Sequence, residues 1–180
     1  MAGHYFRKFS SQYQNSKHAE ESAYMSAYCY YLDAPKSSLD QETTNKAISE
    51  FQLYIAKYPE SERMAQCNEL VDELRKRLEL KSYDNAMQYY KIGRYKSAVV
   101  ALRGSLKEFP DSEFREDIMY YTIKSNYLYA VGSVYGKTTE RLKDTLKDYK
   151  SFLRAFPNSK YGKDATRIFE DINRKLGSLN

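Results

Sequence analysis

The sequence has few chain breakers, with seven glycines and four prolines in 180 residues. Helix-favouring Ala, Leu, Glu, Lys and Arg dominate the rest, so long uninterrupted helices are expected and the prolines act as stops. No window approaches the roughly 18 consecutive apolar residues that a bilayer-crossing helix needs. The opening residues "MAGHYFRKFSSQ" also have no apolar stretch of the kind a secretory leader carries. Two cysteines, Cys29 and Cys67, stand far apart without CxxC spacing or a neighbouring histidine, so each is expected as a structural residue rather than a bond or ligand.

Catalytic groups are equally sparse. His4 and His18 have no second histidine at metal-ligand spacing, and no Cys-His or Ser-His-Asp arrangement is suggested, so no catalytic or metal residue and no cofactor is assigned. The net charge is +5, a mild basic bias. Lysines and arginines are interleaved with acids and accompany no glycine-rich phosphate loop or RNA-binding aromatic motif, so nucleic acid is not expected as a partner.

What is abundant is tyrosine, nineteen residues, and a repeated punctuation. "AKYPES" (Ala56 to Ser61), "KEFPDS" (Lys107 to Ser112) and "RAFPNS" (Arg154 to Ser159) repeat an aromatic, a proline, an acid or amide and a serine, and "SQYQNS" (Ser11 to Ser16) keeps all but the proline. A regular period of this kind marks a repeat architecture. Setting Pro110 at the proline position of a 34-residue helical hairpin places Ala86 and Ala98 where two helices approach most closely. Tyr89 and Leu102 then fill the gap beside them, and Gly93 forms the turn as a left-handed cap. The same frame on Pro59 puts Ala47, Phe51 and Tyr54 in the core, and on Pro157 it puts Thr145, Tyr149 and Phe152 there. Ala27 and Ser125 are the small residues of the preceding helices. Ser112 is expected to cap the helix that follows it.

The expected fold is therefore all-α, a tetratricopeptide-like solenoid of helical hairpins forming a right-handed superhelix over residues 1–180. It divides into a partial repeat 1–16, a repeat 17–61, a long helix with a repeat over 62–112, a repeat 113–159 and a closing helix 160–177. Eight-residue insertions enlarge the turns at "DAPKSSLDQETT" and "VGSVYGKTTE". Between Pro59 and Gly93, Met64, Cys67, Val71, Leu74 and Leu78 recur at three- and four-residue steps and indicate one long helix of about 45 Å at 1.5 Å per residue. In this frame the chain opens on the second helix of a repeat whose first helix is absent, which would leave Phe6 and Phe9 partly exposed or covered by another molecule.

Frame positions that face the inner groove of such a stack are Tyr24, Tyr28 and Tyr31, and, in the central repeat, Leu80, Tyr83, Met87 and Tyr90. An aromatic, apolar groove suits unfolded segments rich in alternating aromatics better than an acidic peptide tail. For Tyr24, Tyr28 and Tyr31, a packing role on the inner surface is the alternative. The polar insertion holding Asp33, Leu39, Asp40 and Gln41 is either a contact loop or a plug between helices, with Leu39 buried in the second case. Lys143, Lys147, Lys150 and Arg154 make a basic stripe along one helix. Asp144 and Asp148 are expected to neutralise it, leaving a solvated face or a docking patch for an acidic partner.

The run "AYCYYLDAPKSSLDQETTNKAISEFQLYIAKYPESER", the long helix, "YYKIGRYKSAVVAL" and "KTTERLKDTLKDYKSFLRAFPNSKY" together resemble the BamD family of outer-membrane assembly lipoproteins over nearly the whole chain. The most specific part is the tyrosine-rich helix running into "SLDQ", then Thr44 and Lys46-Ala47. The resemblance implies a non-catalytic scaffold on the periplasmic face of the outer membrane, tethered by a lipidated cysteine that is not present in this chain. Its implied partners are the periplasmic domains of the barrel insertase BamA, other assembly subunits and unfolded barrel precursors, and it points to Arg141 with the basic stripe as a docking surface. A tetratricopeptide adaptor for some other peptide ligand is the alternative reading.

Overall fold

In the computed structural model, residues 2–133 and 135–178 are described, and among them there are eight α-helices and no strand. They are α1 (Ala2–Gln12), α2 (Ala19–Asp33), α3 (Glu42–Lys57), α4 (Met64–Lys91), α5 (Tyr95–Glu108), α6 (Arg115–Val131), α7 (Tyr135–Ala155) and α8 (Gly162–Ser178). Successive helices pack as neighbours in the manner of a helical repeat solenoid. The chain divides into two compact units, Met1–Lys81 and Ser82–Asn180.

The repeated punctuation builds one kind of corner four times. Tyr13, Tyr58, Phe109 and Phe156 each donate their amide to the carbonyl four residues back, closing the last turn of α1, α3, α5 and α7 at 2.8–2.9 Å. Each aromatic carbonyl then accepts the amide of the serine three residues on, Ser16, Ser61, Ser112 or Ser159, at 3.0–3.2 Å. Each serine hydroxyl in turn accepts the amide two residues further, from His18, Arg63, Phe114 and Tyr161, at 3.0–3.3 Å. The first corner has Gln14 where the others have proline, so proline is not required for the geometry. Ser112 does not cap α6 as expected: the helix starts one turn later, from Phe114, which makes no side-chain cap bond. The serine satisfies the corner itself, as Ser and Thr do in short local turns.

The small and large positions of the repeat frame are buried as their spacing requires. Ala47, Phe51, Ala86, Ala98, Leu102, Thr145 and Phe152 are wholly inaccessible, and Tyr54 and Tyr149 nearly so. Burying a ring or a leucine of this kind contributes about 1.5–3 kcal/mol, which makes these positions the source of the fold's stability. Tyr89 is the exception, 44% exposed. It sits one step round α4 from the face that packs, where Met87 and Tyr90 pack with Ala86 against Leu102 and Ile118.

Gly93 has φ +75° and ends α4, with the amide of Arg94 reaching the carbonyl of Tyr89 at 2.9 Å and its own amide that of Tyr90 at 3.0 Å. This is the paired hydrogen bonding of a left-handed helix stop. The two insertions behave differently. Residues 34–41 leave the helix after Asp33, at a stretch containing Pro35, whereas α7 begins at Tyr135 and absorbs most of the second insertion as helix. "GKTTERLKD" contains no proline and reads on as helix, so an enlarged turn forms only in the first unit.

In the first unit α2, α3 and the opening of α4 share a core of Ala27, Ala47, Phe51, Tyr54, Cys67 and Leu74. In the second, α6, α7 and α8 enclose Ile123, Leu142, Phe152, Ala165 and Ile172. Both thiols are free; Cys67 is buried, which pushes its pKa up, and Cys29 is half-buried. No described helix is long and apolar enough to cross a membrane.

Helix α1 is held on α2 by close backbone approach. A Cβ at Gly3 would stand 3.2 Å from both the Cys29 Cβ and the Ser26 carbonyl, and the Ser26 hydroxyl donates to the Gly3 carbonyl at 3.0 Å. The Arg7 guanidinium meets the Glu50 carboxylate at 2.9 Å. Glu50 is a buried acid, 9% exposed. Phe6 and Phe9 are half-buried and, with Tyr5 and His18, line a shallow cleft of about 510 Å³.

Candidate peptide-binding surface

Tyr24, Tyr28 and Tyr31 follow one another at steps of four and three, the spacing that places side chains on one helical face. Along α2 their rings form a continuous stack. Tyr24 and Tyr28 have centroids 5.7 Å apart at 14°, and Tyr28 and Tyr31 5.7 Å apart at 19°. Cations cover both ends: Arg63, just before α4, lies 4.3 Å from the Tyr24 ring centre, and Arg77 of α4 lies 5.6 Å from that of Tyr31. Tyr24 is buried against Phe51 and Tyr54, while Tyr28 and Tyr31 are half-buried, so the ladder rises out of the core.

Hydrogen bonds fix its Tyr31 end and the Tyr54 ring that packs on Tyr24. The Tyr31 hydroxyl donates to Glu73 at 2.7 Å, and Arg77 donates to the other oxygen of the same carboxylate at 2.6 Å. These two bonds, the tyrosine's first, hold the Glu73 carboxyl below its usual range, and the same bond raises the Tyr31 phenol. Near Tyr24, the Tyr54 hydroxyl donates to Glu20 at 3.0 Å and pairs with the Ser61 hydroxyl at 2.7 Å. Burial pushes the Tyr54 phenol up to about 12, and bonds from Ser61 and Tyr54 depress the Glu20 carboxyl. The Tyr31 phenol at one end, and the Tyr54 phenol packed on Tyr24 at the other, are thus held as neutral donors, and Tyr28 stands in the middle of the ladder, stacked on both of its neighbours.

The second unit carries the same pattern ninety-six residues on, with one change. Tyr120, Lys124 and Tyr127 of α6 stand where Tyr24, Tyr28 and Tyr31 stand on α2. Tyr127 donates to Asp171 of α8 at 2.5 Å, as Tyr31 does to Glu73. Tyr120 lies flat on Tyr161, 3.9 Å between centres at 1°, in the place of the Tyr24–Arg63 contact. The middle ring is replaced by Lys124, whose ammonium donates to the Tyr120 hydroxyl at 3.0 Å and meets Asp164 at 3.3 Å. The tyrosine–carboxylate contact is therefore framework common to both units, and each first tyrosine is covered, by a guanidinium in one and by a ring in the other. The central aromatic rung is peculiar to the first.

The remaining candidates fall in several places. Leu80 is half-buried in the first unit. In the second, Tyr83 stacks on Phe114 at 4.7 Å and 7°, Met87 is 6% exposed, and Tyr90 meets Tyr121 edge-on at 5.0 Å. These three serve the packing of α4 against α6.

The loop after α2 is partly a plug. Gln41 is buried and donates to the carbonyls of Lys36 and Leu39, both at 2.9 Å, while its own oxygen accepts from Thr44 at 2.8 Å. The Asp40 carboxylate accepts the Glu42 amide at 2.9 Å at the start of α3. From α4, Arg77 donates to the Ala34 carbonyl at 3.1 Å, and Lys81 reaches the carbonyls of Ser37 and Leu39. Asp33 and Leu39 remain exposed, so a well-held loop presents an apolar side chain outward, with Leu32 exposed beside it.

On α7, Lys143, Lys147, Lys150 and Arg154 are exposed, and Arg141 is half-buried. Arg141 stacks over Tyr129 at 4.0 Å and donates to Ser133. Asp144 pairs with Lys147 at 2.9 Å. Asp148 does not neutralise the stripe: it turns to Arg103 of α5, at 2.9 and 3.1 Å, and to Asn126 of α6. The arginines that cover the ladder, and the tyrosine–carboxylate pairs at its ends, were not legible from the repeat frame. Their signal lies in the correspondence between the two units, in which the tyrosines recur after ninety-six residues and their partners, Arg63 with Tyr161 and Glu73 with Asp171, after ninety-eight.

The family described as YfiO, outer membrane lipoprotein, matches the chain over residues 1–135 and again over residues 83–179. No curated protein matches it.

Proposed function

The chain belongs to the YfiO family of outer membrane lipoproteins, and from that membership we propose that it is a non-catalytic scaffold of the outer-membrane barrel assembly machinery. It acts on the periplasmic face of the membrane. Its first unit receives unfolded barrel precursors on the Tyr24–Tyr28–Tyr31 ladder, and its partner among the folded subunits is BamA through that protein's periplasmic domains.

The observation that carries the reading is the central rung. Equivalent helices need the outer tyrosines for their carboxylate and stacking partners, and α6 keeps them while carrying Lys124 in the middle. Tyr28 is thus not demanded by packing. A half-buried ring with stacked neighbours and cations at each end offers apolar faces and edge contacts to an extended strand whose side chains alternate aromatic and polar. Arg63 and Arg77 add faces on which further aromatic side chains stack. For a folded subunit, the clamped loop at residues 34–41 offers what a protein interface uses: a rigid backbone and the exposed apolar Leu32 and Leu39.

The test is binding of fluorescent peptides from barrel strands, rich in alternating aromatics, to the chain and to Tyr28→Ser. Loss of the central ring is expected to weaken binding about tenfold, in the range of one aromatic hot-spot contact, with the melting temperature almost unchanged. A melting temperature that falls by many degrees would make Tyr28 a core residue. Unchanged peptide affinity would remove the ladder from the site.

A further inference from the structure

The charge of this chain is distributed unevenly. Residues 135–178, the span of α7 and α8, carry eleven lysines and arginines against six acids, while the residues before them balance at eighteen of each. The whole net charge of +5 therefore falls in the last two helices and the connection between them, which holds Lys160. Asymmetry on this scale points to an anionic surface as partner.

The fold sharpens the asymmetry by turning acids inward. Asp148 is taken by Arg103 and Asn126, Asp164 by Tyr120 and Lys124, and Asp171 by Tyr127, Arg174 and Lys175. Tyr149 of α7 stacks on Phe169 of α8 at 4.7 Å and 18°, seaming the two helices together. On the sides away from the core stand Lys143, Lys147, Lys150 and Arg154 of α7 with Lys163 and Arg167 of α8, all exposed. Glu140, Asp144, paired with Lys147, and Glu170 are the acids exposed among them. Among the described residues, no large exposed hydrophobic lies in either helix, whereas nine lie elsewhere.

We propose that the basic stripe of α7, whose spacing puts Lys143, Lys147, Lys150 and Arg154 on one side of the helix, rests on the headgroups of a bilayer containing anionic phospholipid. A specific protein interface needs an apolar centre around which polar groups form a rim. This face has cations without that centre, which suits long-range attraction to a charged plane in which no side chain has to find a pocket. The family supplies the plane, since its members are outer membrane lipoproteins. A cationic face is the second signal that makes a lipid anchor's hold on a membrane firm. The proposal rests on family membership and is independent of the peptide ladder in the first unit.

The test is co-sedimentation of the full chain with vesicles of phosphatidylcholine alone or with about 30 mol % phosphatidylglycerol, where each basic residue near the surface is worth about a fivefold change in partitioning. Binding is expected only with the anionic vesicles and is expected to disappear between about 0.05 and 0.5 M salt. Lys150→Gln/Arg154→Gln is expected to lower it about twenty-fivefold, while Lys8→Gln/Lys76→Gln, which removes two cations from the first unit, leaves it within twofold. Both variants are checked for unchanged helicity. Equal binding to neutral vesicles, equal loss in the two variants, or no binding to anionic vesicles at low salt would overturn the proposal. In the last case, a loss of binding to an acidic protein partner in the α7 variant would assign the face to protein.

Discussion

Tyr31 and Glu73 stand 42 residues apart and meet at 2.7 Å, the phenol donating to the carboxylate that Arg77 also holds. Because Glu73 is depressed in the folded chain, its contribution to stability is complete above the ordinary carboxylate pKa and is lost as pH falls through the folded value. Acid titration of the melting temperature should therefore show a loss below about pH 4.5 that is smaller in Glu73→Gln. Tyr31→Phe should cost about 1 kcal/mol at neutral pH, at the low end for a bond to a charged group because the carboxylate is half exposed. An acid limb unchanged in Glu73→Gln would show that other carboxylates dominate it.

Gly3 is the point at which α1 touches α2. A methyl group there would meet two atoms at 3.2 Å, one a buried backbone oxygen and the other a Cβ, neither of which can swing aside. Gly3→Ala gains up to about 1 kcal/mol in helix propensity and loses about 1–3 kcal/mol to overpacking. The expected result is faster amide exchange through α1, with α2 and α3 protected as before. Slower exchange in α1 would mean that the helix shifts at no cost.

Gly93 holds φ +75° with nothing within 4 Å of where a Cβ would stand. Its alanine substitution therefore meets no neighbour and pays only for backbone conformation, about 1–2 kcal/mol. Urea unfolding of Gly93→Ala should give a loss of that size, and Gly93→Asn a smaller one, since asparagine tolerates the left-handed region.

The sequence determined much of this architecture for simple physical reasons. Helices with buried faces repeat at 3.6 residues, so the alanines and aromatics at Ala47, Phe51, Ala98 and Leu102 revealed the core, and Gly93 revealed a stop. The corners were visible from proline and serine, although their serines bond within the corner and not to the helix ahead. Less legible was anything that depends on which way a polar group turns. Glu50 looks like any helical acid until Arg7 and Ser26 are seen beside it, and Asp148 looks like a neutraliser of its own helix until it reaches Arg103. Tyr89 and Tyr90 differ by one residue and only packing tells which is outside. The ladder itself was half visible: the steps of four and three gave the rings a common face, but the cations that cover it, Arg63 just before α4 and Arg77 within it, come from 39 and 46 residues away from the rings they touch.

The four corners use backbone bonds and one hydroxyl, with no long-range partner common to all of them. A bend built from its own atoms can be copied wherever the chain needs one. Lengthening or shortening such a protein by a helix pair requires no new way of turning, only a fresh apolar face for the added pair to bury. The diversity open to this architecture is accordingly one of surfaces: each duplicated pair inherits its bend ready-made and is free to exchange a ring for an ammonium group between its neighbours.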